Sequence, residues 1–338
     1  MTLLLNYVFF LLKTITLASA ILITLVGIFA LSKNKNKNNN RIIVKHINKY
    51  YESLTEELQE DILPADQFKI EKKKRKKAIE ILKKSTSKIT KNRLFYINFS
   101  GDMHASEAES LREKISAILC IATVHDEVLV NIESPGGVVH AYGLCASQLA
   151  RLRERNIPLI AIVDKVAASG GYLMASVANQ IIAAPFAIVG SIGVVAQLPN
   201  FHRLLKENHI DFEQITAGEY KRTLTYFGEN TPKARNKLQE EIDNIHQLFK
   251  QFITQYRPQL DINAVSTGEF WFGTDAIELK LIDKIGTSDD YLLNASQNKD
   301  IYEIDYKLPL SFIQKLTRSV AKIKASFGLS SLGGSPFI

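Results

Sequence analysis

Cysteine is almost missing from this chain: Cys120 and Cys145 are the two among 338 residues, each alone in an apolar, helix-like stretch. They form no Cys-x-x-Cys and have no histidine at metal-ligand spacing, so neither a disulfide framework nor a zinc site is expected. Both read as buried small hydrophobes. Charge of either sign is missing from Val166 to His202, 37 residues without Asp, Glu, Lys or Arg. That gap imitates a membrane span. It contains Asn179, Gln180, Pro185, Gly190, Gly193 and β-branched clusters, however, and reads as soluble core made of short buried strands. Histidine is missing between His140 and His202. Any nucleophile in that interval therefore lacks the usual nearby base.

A hydrophobic content of 46% supplies a sizeable core and excludes wholesale disorder, and the length suits one large domain or two modest ones. The net charge of +7 is local. Lys33 to Arg93 carries 18 Lys and Arg against 8 Asp and Glu, leaving 24 against 27 elsewhere. A slightly acidic main domain does not call for a nucleic-acid partner.

Thr14 to Leu31 is 18 residues without a charge, and apolar sequence extends back to Leu3, broken by Asn6 and Lys13. As a helix the run spans about 27 Å, close to the thickness of a bilayer core. Ala18-Ser19-Ala20 imitates a cleavage site, but ten mostly apolar residues follow it, so an uncleaved anchor is expected. Lys33, Lys35, Lys37, Arg41 and Lys45 crowd its far flank and point the main domain to the cytoplasm. A polar linker, KNKNKNNNR, follows. Ile42 to about Lys91 reads as charged helix, with KKKRKK at Lys72 to Lys77 as a solvated face or a patch for anionic lipid.

From Arg93 strands and helices alternate. LFYINFSG, EVLVNIES and IPLIAIVD read as strands, while SEAESLREKISAILCIA, HAYGLCASQLARLRERN and VAASGGYLMASVAN read as helices. This predicts an α/β domain with a mostly parallel sheet. Four segments follow: 1–32 anchor, 33–93 basic helical extension, 94–290 main domain and 291–338 tail. In the tail LSFIQKLTRSVAKIKASF suits an amphipathic helix on a membrane or on the domain.

Three fragments carry candidate chemistry. SPGG, Ser134 to Gly137, joins a strand to a helix, and its glycines expose backbone N–H groups such as an oxyanion needs. The same pattern is also ordinary turn chemistry. In AASGG, Ser169 has the small neighbours that let a substrate approach a nucleophile, and it equally suits a helix N-cap. In TAGEYKRTL, Lys221 can replace histidine as base if it is neutral. Lowering a lysine from about 10.4 to near 7 takes roughly 4–5 kcal/mol, part of which burial against Tyr220, Leu224, Tyr226 and Phe227 would supply.

SPGG, DKVAASGGYLMA, APFAIVGSIGVV and TAGEYKRTLT, in this order, closely resemble the membrane-bound serine peptidases of family S49, the signal peptide peptidase A-like proteins. The likeness runs from about Phe95 to Ile285, and the anchor with its basic extension matches one branch of the family. The resemblance implies a ClpP/crotonase-like α/β fold with repeated βα units. It places the nucleophile on Ser169, the general base on Lys221, and an auxiliary serine that holds the lysine amine on Ser191. The oxyanion donors fall on the backbone N–H groups of Gly137 and Gly170. It implies no metal and no organic cofactor, a dome-like homo-oligomer, and peptide substrates such as signal-peptide remnants or unfolded chains. It also implies the bacterial inner membrane, with the catalytic domain on the periplasmic side, against the flanking charges. The competing expectations are a membrane scaffold that keeps the fold without turnover and an acyl-CoA-processing enzyme of the same superfamily.

Overall fold

The computed structural model describes residues 2–32, 41–84 and 92–307. The chain divides into two units, 1–41 and 42–338. The first holds one helix, α1 (Thr2–Ser32). Its window Leu5–Leu22 has a mean hydropathy of 1.7, and among the described residues it is the one helix long and apolar enough to cross a bilayer. The polar linker and the amphipathic segment expected near the C-terminus lie outside the described residues.

The second unit opens with strand β1 (Ile42–His46), where charged helix is expected, followed by α2 (Ile47–Ile62) and α3 (Ala65–Lys84). Three βα steps come next: β2 (Arg93–Ser100) with α4 (Ala108–Leu119), β3 (Glu127–Glu133) with α5 (Val139–Glu154), then β4 (Leu159–Val163) and β5 (Val166–Ala168) with α6 (Gly170–Ser176). VAASGGYLMASVAN, expected to be helix throughout, is thus a strand, a single turning residue and a short helix. Strands β6 (Gln180–Ala183) and β7 (Ile188–Gly190) precede α7 (His202–Glu207) and the long α8 (Pro232–Tyr256). The chain continues through α9 (Ile262–Val265), β8 (Phe270–Phe272), α10 (Gly273–Ala276), β9 (Lys284–Ile285), α11 (Ser288–Ser296) and β10 (Asp300–Tyr306).

Seven strands form the main sheet in the order β1-β10-β2-β3-β4-β6-β9. It is parallel apart from the edge pair β1–β10. Both faces are covered, so the central strands are near-continuous apolar runs. The period of two sends Phe95, Ile97, Phe99, Val128, Val130, Ile132, Leu159, Ala161 and Val163 to one side, against Leu111, Ile115, Tyr142, Cys145 and Leu149 of α4 and α5. Leu94, Tyr96, Leu129, Ile160 and Ile162 face the other side, with Leu292 of α11, and Ile47 and Tyr51 of α2 against them. Asn48 ties that layer down. Its amide N–H group donates to the carbonyls of Ser296 and Lys299, and its oxygen accepts from Ile301 N–H. The segment after residue 290 is therefore no separate tail up to Tyr306: α11 and β10 complete the domain, and β1 from the basic extension closes its edge. Of the cysteines, Cys145 is buried and its thiol is pushed up to about 11 by that burial, whereas Cys120 is exposed just past the end of α4, where the helical period stops.

A second, three-stranded sheet, β5-β7-β8, stands beside the first, with β5 parallel to β7 and β8 antiparallel to it. A bridge from Ser134, just past β3, to Ala167 in β5 joins the two. It brings three strand ends to one place.

Candidate active site

Parallel strands end on a common side, and the carboxyl ends of α/β sheets are where ligands bind. Here β3 runs into Ser134-Pro135-Gly136-Gly137, β5 into Ser169 and β7 into Ser191. Ser169 N–H donates to the Gly190 carbonyl at 2.7 Å, and Ala168 N–H to the Ser134 carbonyl at 3.0 Å, so the three ends are stitched together.

Ser169 turns the chain from β5 into α6 at φ 51°, ψ −116°, a conformation L-residues rarely adopt. It occupies the N-cap position of α6, yet its side chain makes no capping hydrogen bond. The hydroxyl is left for other use. Ser191 is a second serine at positive φ, 51°, immediately after Gly190 at 95°.

Glycine is required around Ser169 by close approach. A Cβ on Gly136 would lie 2.8 Å from both the Ala168 carbonyl oxygen and Ser169 Cβ, one on Gly170 2.4 Å from Tyr142 Cγ, and one on Gly137 2.2 Å from the Met103 carbonyl oxygen. The SPGG loop is thus pressed between the Met103 segment and the Ser169 turn. Among the described residues neither the Gly137 nor the Gly170 N–H finds a hydrogen-bond acceptor. Two unsatisfied amides flanking a free hydroxyl are a suitable arrangement for an oxyanion.

Ser169, Gly137, Gly170 and Tyr142 line a groove of about 270 Å³, with Leu173, Leu248, Phe249 and Phe252 giving it apolar walls from α6 and α8. Another hollow of about 250 Å³, between β9 and α11, contains none of the expected site residues.

Lys221 is not part of this cluster. It stands exposed on a stretch without helix or strand, its N–H donating to the Gly218 carbonyl, and it does not line the groove. Among the described residues its side chain has no hydrogen bond or ion pair, to either serine or elsewhere. The burial expected from its neighbours is absent, because Tyr220, Tyr226 and Phe227 are themselves largely exposed. The stretch packs on itself instead. Phe227 stacks near Phe201 and Phe212 with ring centroids 6.1 and 5.7 Å away, and Asn200 donates to the carbonyls of Thr225 and Gly228.

Sequence reasoning overlooks Tyr142, Ser134 as a side chain, and the Asp102-Met103 segment. Only Ser134 carries a signal, its place inside SPGG.

The family model for peptidase family S49 matches residues 151–302, and that for its N-terminal part matches residues 2–149. The chain belongs to peptidase family S49. As a peptidase of this family it is 49% identical over 308 residues to the probable protease SohB of Buchnera aphidicola subsp. Schlechtendalia chinensis, covering 87% of this chain and all of that one. The probable protease SohB of Buchnera aphidicola subsp. Acyrthosiphon pisum is 48% identical over 322 residues, 95% of each chain. That of Haemophilus influenzae is 55% identical over 225 residues, 67% of this chain and 64% of the other. Among solved structures, a 1510-N membrane-bound stomatin-specific protease is 14% identical, with a TM-score of 0.42, over 69% of this chain and all of that one.

Proposed function

We propose that this S49 peptidase is a membrane-anchored serine endopeptidase working through a Ser169/Lys221 dyad. The observation that carries the reading is Ser169: an uncapped hydroxyl on a strained turn, beside two amides without acceptors and at the mouth of an apolar groove. Ser169 Oγ attacks a peptide carbonyl and its proton passes to the uncharged amine of Lys221. The oxyanion is held by the N–H groups of Gly137 and Gly170. Collapse breaks the C–N bond, Lys221 returns the proton to the leaving amine, and an acyl-enzyme ester remains. Water, deprotonated by the same lysine, hydrolyses it. Ser191 holds the lysine amine in line.

In one chain Lys221 is exposed on a self-packed stretch that also exposes apolar side chains such as Ile215 and Tyr226. Assembly into a homo-oligomer that covers this stretch supplies both the desolvation a neutral lysine needs and its approach to Ser169. The apolar groove suits peptides with apolar side chains, such as signal-peptide remnants or unfolded segments. We place α1 in the bacterial inner membrane and the catalytic unit on the periplasmic side. A reporter fused after Ile338 that works only in the cytoplasm would reverse that placement.

The decisive experiment is hydrolysis of casein or a signal peptide across pH by wild type, Ser169→Ala and Lys221→Ala. Wild type is expected to cleave faster as pH rises, and each variant to lose at least a thousandfold. Undiminished turnover by Lys221→Ala removes the dyad. An inert wild type favours a scaffold instead.

A further inference from the structure

The loop that carries Gly137 is held by a chain of hydrogen bonds that takes no direct part in the chemistry above. Gly136 N–H donates to Ser134 Oγ at 3.1 Å, Ser134 Oγ lies 2.5 Å from Tyr142 Oη, and Tyr142 Oη donates to the Asp102 carbonyl at 2.7 Å. Both side chains are fully buried. Their proton directions follow from the ends of the chain. A carbonyl oxygen only accepts, so the single phenolic proton of Tyr142 goes to Asp102. The Ser134 hydroxyl must then donate to Tyr142, which leaves a Ser134 lone pair for the Gly136 N–H. No member can turn without leaving a buried polar group unpaired.

We propose that Ser134 and Tyr142 are positioning residues of the oxyanion site: their one-way relay from the Gly136 amide to the Asp102 carbonyl sets the loop that presents Gly137 N–H to the reacting carbonyl. The inference rests on the Ser169 nucleophile reading. Gly136 N–H lies in the peptide that joins Pro135 to Gly136, so this bond fixes the plane from which Gly136, at φ 91°, turns the chain into Gly137. The next residue is pinned from the same side, as Val138 N–H donates to the Met103 carbonyl at 2.9 Å. Tyr142 also reaches the second donor, since its ring lies directly under Gly170, where no Cβ would fit. One side chain thus locates both amides. The Ser134 carbonyl accepts from Ala168 N–H, next to the nucleophile, so the loop and the Ser169 turn are referred to a common point.

The test is peptide hydrolysis by the full chain in detergent for Tyr142→Phe, Ser134→Ala and the double variant, together with inhibition by a peptide aldehyde. The aldehyde forms a tetrahedral adduct whose oxygen needs the two amides. Each single variant is expected to lose about 10- to 100-fold in kcat with KM within twofold, and to bind the aldehyde more weakly by the same factor. The double variant should be no worse than the poorer single one, because a relay broken once is broken. Should Ser134→Ala fail to fold, Tyr142→Phe carries the same expectation. Unchanged kcat and aldehyde affinity in Tyr142→Phe overturn the relay. So do losses that multiply in the double variant, or that follow thermal stability. Ser169→Ala run alongside separates the two readings: if it stays active the nucleophile assignment falls, and if it is dead while Tyr142→Phe is fully active only the relay falls.

Discussion

At Ser169 the backbone conformation and the chemistry make opposite demands. A φ of 51° costs an L-residue roughly 1–2 kcal/mol relative to glycine, yet the position holds a serine between Ala168 and Gly170. Replacing it separates stability from activity. Ser169→Gly and Ser169→Ala should both be inactive, but the glycine variant should be the more stable by about 1 kcal/mol, because only alanine keeps the strain. Urea unfolding of the two inactive variants checks this, and equal midpoints would mean that the turn relaxes. The neighbouring glycines answer a different demand. Gly137 and Gly170 lack a positive φ and are needed because Met103 and the Tyr142 ring occupy the space a Cβ would take.

Among the elements, β2 is clamped at its start to the turn before β3. Arg93 donates from Nε and from its terminal nitrogen to the Asp126 carboxylate at 2.9 and 2.6 Å, and Thr123 adds its N–H and hydroxyl. Burial alone would raise the Asp126 pKa, but these bonds outweigh it and hold the carboxyl down at about 2. The folded value lies below the unfolded one, so the contribution to stability is present above pH 4. It is lost as pH falls from about 4 to 2. Its size is about 2 kcal/mol. Asp126→Asn should therefore cost about that much at pH 7 and about a third of it at pH 2.5, measured by denaturant unfolding at both pH values. An equal cost at both would assign the loss to packing. At the sheet edge β1 is short, carries Lys45 and, among the described residues, pairs only with β10, about 260 residues later in the chain. Its β-branched run Ile42-Ile43-Val44 is a local sign of a strand, but it is short and followed by a long charged segment.

For the whole molecule, the arm from residue 195 to 227 holds apolar side chains in solvent. Ile215 is 95% exposed and Val195 77%, on a stretch that also carries Lys221. Large apolar side chains grouped in the open mark an interaction surface. Under the homo-oligomer proposed above, Ile215→Asp should shift the detergent-solubilised protein toward monomer and lower peptidase activity at least tenfold, while the thermal stability of the unit stays within a few degrees. Sedimentation and activity on the same samples check it. A variant that stays assembled but loses activity would give the arm a role in substrate contact alone.

Much of this was present in the order of the residues. The apolar runs of β2, β3 and β4 follow from burial on both faces, α1 from its uninterrupted hydropathy, and the turn chemistry around Ser169 from a serine set among alanine and glycine. The motifs SPGG and AASGG name residues that do meet. Tertiary structure alone decided the rest, because each instance depends on groups distant in sequence. Ser169 is joined through its N–H to Gly190 and through that of Ala168 to Ser134, 21 and 34 residues away. The Tyr142 hydroxyl finds a carbonyl 40 residues earlier. β10 inserts between β1 and β2, and Lys221 lies exposed on a segment that packs on itself. Periodicity records which faces are buried, and only the folded chain records what they are buried against.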